Sequence, residues 1–102
     1  MPGFVRVASV REIAPGQGTI VEVEGSSVAL FNAGATFHAI SNTCAHRGGP
    51  LGEGDLEGTT VTCPWHGWQY DVTDGRCRMN PAVSVARFDV QVEGDDVRVR
   101  VS

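Results

Sequence analysis

A chain of 102 residues with 41% apolar and 20% charged residues is one soluble globular domain with a modest core. No run of about 18 apolar residues encodes a transmembrane helix, and Met1-Pro2-Gly3-Phe4-Val5-Arg6 has no secretory h-region. Net charge is −4 and all eight basic residues are Arg, which excludes nucleic acid and membrane as partners, while three cysteines, an odd count, argue for a reducing, cytoplasmic compartment.

The elements read as short strands. Val5 and Val7 alternate with Arg6, and the one helical candidate, residues 10–14, is cut off at Pro15-Gly16. Val21 and Val23 alternate with Glu22 and Glu24, and Gly25-Ser26-Ser27 marks a turn. Residues 27–31 and 35–40 flank Asn32-Ala33-Gly34, a hairpin signal. Glu53, Asp55 and Glu57 read as an acidic loop. A strand over 68–72 precedes the turn Thr73-Asp74-Gly75. Val83, Val85, Val90, Val92, Val97, Val99 and Val101 predict a final meander around Glu93-Gly94-Asp95-Asp96. Frequent turns between short strands mean an all-β fold, a small antiparallel barrel or sandwich.

The chemistry lies in Cys44-Ala45-His46 and Cys63-Pro64-Trp65-His66, with sixteen residues between them. Each segment supplies one thiolate and one imidazole. Two soft sulfurs and two borderline nitrogens suit a [2Fe–2S] cluster with cysteines on one iron and histidines on the other. The same four residues could hold one tetrahedral zinc in a stapled interaction module, although zinc fingers usually group Cys with Cys and His with His. A Cys44–Cys63 disulfide would leave both histidines without a role. Gly48, Gly49, Pro50, Pro64 and Gly67 suit tight loops in which backbone N–H groups approach cluster sulfides.

The runs Cys44-Ala45-His46-Arg47-Gly48-Gly49-Pro50-Leu51 and Cys63-Pro64-Trp65-His66-Gly67-Trp68-Gln69-Tyr70-Asp71 resemble the two cluster loops of Rieske proteins. The resemblance implies a single domain over residues 1–102, with the cluster-binding part at about 42–81. It implies small antiparallel sheets with a two-loop tip, and one [2Fe–2S] cluster. Cys44 and Cys63 would hold the inner iron, His46 and His66 the outer iron, and Tyr70 would donate to a cluster thiolate. High-potential respiratory Rieske proteins carry an extra Cys in each loop, joined as a disulfide; those positions here are Gly49 and Trp65. Their Ser donor is replaced by Trp68. The His-Gly-Trp-x-Tyr run looks more like oxygenase-type ferredoxins and the small subunit of assimilatory nitrite reductase.

No second catalytic constellation is present, so the chain reads as an electron carrier rather than an enzyme. The resemblance implies a flavoprotein reductase as donor and a terminal Rieske oxygenase as acceptor, with the nitrite reductase subunit as the alternative. Smaller readings complete the set. Arg47 is a solvated or partner-facing cation, Pro64 and Trp65 a docking patch or loop packing, His38 structural or exposed, and Cys77 a packed thiol.

Overall fold

Alternating valines and two-residue turns build nine strands in the computed structural model, which describes residues 3–34, 36–45, 48–65 and 67–101. They are β1 (Phe4–Ser9), β2 (Gln17–Val23), β3 (Ser26–Asn32), β4 (Phe37–Ser41), β5 (Asp55–Glu57), β6 (Thr60–Thr62), β7 (Gln69–Asp71), β8 (Arg87–Glu93) and β9 (Asp96–Arg100). The helical candidate at 10–14 is a single 3-10 turn, Val10–Glu12, closed by Ser9 and Glu12 as a capping box. A second such turn, Leu51–Glu53, follows the first cysteine segment.

Six strands form an antiparallel sheet in the order β1-β9-β8-β4-β3-β2, and its edge strands β1 and β2 come together, so the sheet nearly closes into a barrel. Strands β5-β6-β7 form a separate small sheet. The barrel expectation holds, with three differences in detail. The β2–β3 turn is Glu24-Gly25 rather than 25–27, because Val23 pairs with Ser26 and both turn residues take positive φ, 50° and 84°. Of the acidic stretch read as a loop, Glu53 ends the second 3-10 turn while Asp55 and Glu57 lie in β5, paired with β6 across Gly58-Thr59; strands of three residues are too short to show alternation. Val83 and Val85 belong to no strand: they flank Ser84, which bridges Arg76, and pack against the core from an irregular segment.

Strand β3 is the shared element. Val28 and Leu30 point into the barrel with Val23, Ala39, Val97 and Val99. Ala29 and Phe31 point the other way, into a second core with Ile40, Leu51, Val61 and Tyr70. The uninterrupted apolar run Val28-Ala29-Leu30-Phe31 is the sequence mark of a strand buried on both faces. Leu51 and the small sheet thus fasten the cysteine loops to the outside of the barrel.

The strands β1, β9 and β8 carry a lattice of ion pairs: Arg6–Asp96 at 2.7 Å, Arg100–Asp89 at 2.6 Å and Arg87–Asp89 at 3.3 Å. A hydrogen bond from Arg100 holds the Asp89 carboxyl below its ordinary range, and one from Arg6 does the same for Asp96. A depressed folded-state pKa contributes stability above the unfolded carboxylate value of about 4 and loses it below. The melting temperature should therefore fall as pH drops below about 4, and less steeply in high salt, because these exposed pairs are already screened. Melting curves at two ionic strengths check this; a salt-independent acid slope would assign the loss to other groups.

Candidate functional site

The two cysteine segments fold into loops of the same design. In the first, Cys44 N–H donates to Gly49 O at 2.9 Å and Gly48 N–H donates to Cys44 O at 2.8 Å. In the second, Cys63 N–H donates to Trp68 O at 2.7 Å and Gly67 N–H donates to Cys63 O at 3.0 Å. Gly48 and Gly67 take φ of 75° and 77°, the left-handed conformation that closes each loop and that a side chain would strain. Each cysteine sits at the root of its loop, 2% exposed. The loops touch at Gly49, where a Cβ would come within 2.7 Å of Cys63 Sγ and 3.0 Å of Trp65 Cγ. Only glycine leaves room there.

Tyr70 lies fully buried on β7, held opposite Val61 in the ladder. Its Oη is 3.3 Å from Cys44 Sγ and accepts a hydrogen bond from Ala45 N–H at 3.2 Å. Either atom of that pair can donate; with Cys44 as a thiolate, the phenol would be the donor. Burial, and then the bond to Cys44, push the Tyr70 pKa far above its ordinary value, so it remains a donor.

The structure therefore brings Cys44, Cys63 and Tyr70 together in one apolar cluster. His46, His66 and Arg47 lie outside the described residues. Two buried sulfurs on separate loops, with a phenol hydroxyl beside one of them, form a set that fits a sulfur-bridged iron cluster.

Cys77 joins the same apolar core, 2% exposed and bridged to Tyr70 across the backbone. As a packed thiol, its replacement in Cys77→Ala should keep full iron and sulfide content and cost at most about 1–2 kcal/mol in denaturant unfolding. Loss of iron in that variant would place a third sulfur in the ligand set.

His38 is half-buried on β4, opposite Phe31; burial lowers its pKa, with Asp71 acting against this and Arg87 with it. It lies beside Phe37, Arg87 and Phe88 on the barrel sheet. Pro64 and Trp65 are exposed, Trp65 by 58%, while Trp68 is half-buried. A third segment, residues 77–83, runs beside the second loop. Cys77 N–H donates to Val83 O and Arg78 N–H donates to Gln69 O. That antiparallel register carries Met79, 62% exposed, past Gln69 toward the second loop. Its signal in the sequence is the charge-free stretch Met79-Asn80-Pro81-Ala82.

A family model described as Rieske [2Fe-2S] domain matches residues 3–93. The ferredoxin component of biphenyl 2,3-dioxygenase from Rhodococcus jostii (strain RHA1) is 35% identical over 94% of this chain and 91% of its own length. The solved structure of the ferredoxin of carbazole 1,9a-dioxygenase from Nocardioides aromaticivorans IC177 superposes with a TM-score of 0.92 at 30% identity, covering 98% of this chain and 99% of that one. A structure described as an NADH-dependent nitrite reductase small subunit from Mycobacterium tuberculosis gives a TM-score of 0.89 at 27% identity, covering 97% and 96%. Apoptosis-inducing factor 3 of Homo sapiens is 35% identical over 94% of this chain, which spans only 16% of that protein's length.

Proposed function

The chain belongs to the Rieske [2Fe–2S] domain family, and from that premise we propose that it is a ferredoxin passing single electrons from an NAD(P)H-dependent flavin reductase to a Rieske non-haem iron oxygenase. The observation that carries the reading is the end-to-end match to dioxygenase ferredoxin components, joined to a site with a sulfur-ligand core and no second catalytic group among the described residues. We assign Cys44 and Cys63 to the inner iron and His46 and His66 to the outer iron, in a single domain over 1–102 with its cluster part at about 42–81. A bound cluster supplies a one-electron couple. The chain's part is to hold it, surround its sulfurs with donors and present it to a partner. Pro64, Trp65 and Met79 are exposed, uncharged side chains suited to brief contact, since uncharged groups lose little on desolvation. The odd cysteine count supports a reducing, cytoplasmic setting.

Carriers must release each partner, so binding should be weak and steered by charge. For a protein of net charge −4, stopped-flow reduction by a basic-faced flavin reductase should slow as salt rises. Adding the oxygenase should then reoxidise the cluster in step with substrate turnover. The similarity to a nitrite reductase small subunit favours a second reading, a fixed subunit of that enzyme. Copurification in fixed ratio with a sirohaem-containing large subunit, without exchange, would replace the mobile carrier by that reading.

A further inference from the structure

The two cysteine loops leave the scaffold in different ways. The second is rooted in a ladder, with Thr62 of β6 paired to Gln69 of β7 on either side of it. The first leaves β4 at Ser41 and returns into the 3-10 turn Leu51–Glu53 rather than into a strand. Its neck is an isolated bridge, Thr43 opposite Pro50, made by Cys44 N–H to Gly49 O at 2.9 Å and Leu51 N–H to Asn42 O at 2.8 Å. One residue further from the loop tip the acceptor becomes a side chain: Gly52 N–H donates to Asn42 Oδ1 at 2.7 Å. Gly52 is buried, and a Cβ there would come within 2.5 Å of Ile20 Cγ1 and 3.0 Å of Thr19 O. The turn therefore lies hard against β2, and a buried N–H in it needs a partner.

Asn42 is tied to the barrel as well. Its N–H donates to Ser27 O at 3.1 Å and its Nδ2 to Ser27 Oγ at 3.2 Å, near the start of β3. All four polar groups of this residue are thus engaged, two on the exit of the loop and two on the scaffold. Leu51, held by Asn42 O, is fully buried in the core that also contains Cys44 and Cys63. We propose that Asn42 is a positioning residue of the redox centre. It fixes the neck of the first loop to β3, and through Cys44 and Leu51 it sets how firmly that loop retains its cluster. Resting on the assignment of Cys44 and Cys63 to a cluster, this role holds for a mobile carrier and a fixed subunit alike. Asn32 offers the same chemistry elsewhere in the barrel: it is 5% exposed, its Nδ2 donates to Ile13 O at 2.7 Å and its Oδ1 accepts from Gly34 N–H at 2.9 Å. Those partners lie in neither cysteine loop.

The test is the rate at which purified, cluster-loaded protein bleaches in excess EDTA, well below each variant's melting temperature. Electron paramagnetic resonance of the reduced cluster is the second readout. Asn42→Leu keeps the side-chain volume and removes both side-chain bonds; it should speed bleaching about tenfold and shift the resonance. Asn42→Asp keeps an acceptor for Gly52 N–H and gives the Ser27 hydroxyl an acceptor to turn toward; it should bleach within about twofold of wild type. Asn32→Leu should lower the melting temperature and leave both bleaching and resonance unchanged. Faster bleaching of Asn32→Leu, equal to that of Asn42→Leu, would make retention a matter of general stability and overturn the proposal. So would Asn42→Asp bleaching as fast as Asn42→Leu. Wild-type protein without acid-labile sulfide would overturn the cluster assignment and this role together. Sulfide-bearing wild type with an Asn42→Leu variant that bleaches no faster would remove the role of Asn42 alone.

Discussion

Cys44→Ser, Cys63→Ser, His46→Ala and His66→Ala should each yield colourless protein without acid-labile sulfide. The effect should reach beyond the metal. Cys44 and Cys63 are part of the core that joins the small sheet to β3, together with Phe31, Leu51, Val61 and Tyr70. Metal binding supplies folding free energy to such a region, because the ligands converge only when the chain is folded. The barrel core, built from Val23, Val28, Leu30, Val97 and Val99, contains no ligand. Circular dichroism should therefore retain much of the strand signal while proteolysis opens the region 42–81. Iron and sulfide analysis with limited proteolysis checks both halves. One tightly held zinc and no sulfide in wild-type protein grown with ample iron would sink the assignment.

Tyr70→Phe should lower the midpoint potential with the cluster retained. The reduced cluster is more negative, so a donor aimed at Cys44 Sγ stabilises it more than the oxidised form. A differential of about 1 kcal/mol in a one-electron couple corresponds to roughly 40 mV. The wild type, with Gly49 and Trp65 where a disulfide would sit and Trp68 in place of a serine donor, should lie at the low end of the Rieske range, roughly −150 to 0 mV. The variant should also lose some stability, since Ala45 N–H loses its acceptor in a half-buried position. Redox titration gives the sign directly. A rise in potential, or no change, would show that the phenol donates elsewhere, and a wild-type value near +300 mV, the top of the range, would contradict the oxygenase-type assignment.

Most of the architecture is legible in residues whose local chemistry leaves little choice. Valine alternation marks β1, β2 and β9, and Val28-Ala29-Leu30-Phe31 marks a strand covered on both sides. The cysteine loops are legible because spacing and ligand type speak together. What stays hidden is set by distant partners. Strands β5 and β6 have three residues each and are fixed by pairing with each other and with β7. Val83 and Val85 mimic a strand, yet Gly75 approaches Val85 O so closely that a Cβ would meet it at 2.2 Å, and the segment bends around that contact. The hydrogen bond from Ala45 to Tyr70 has no trace in sequence because it joins residues 25 positions apart.

The placement of β3 has a consequence for how such a protein can change. Leu30 and Phe31 are neighbours in sequence, but one belongs to the scaffold and the other to the redox half. Substitutions at 28 and 30 alter the barrel; substitutions at 29 and 31 alter the bed on which the cysteine loops rest. Odd and even positions of a single strand are thus separate channels of variation. A lineage could retune its redox centre through one and its thermal tolerance through the other, with neither change constraining the next.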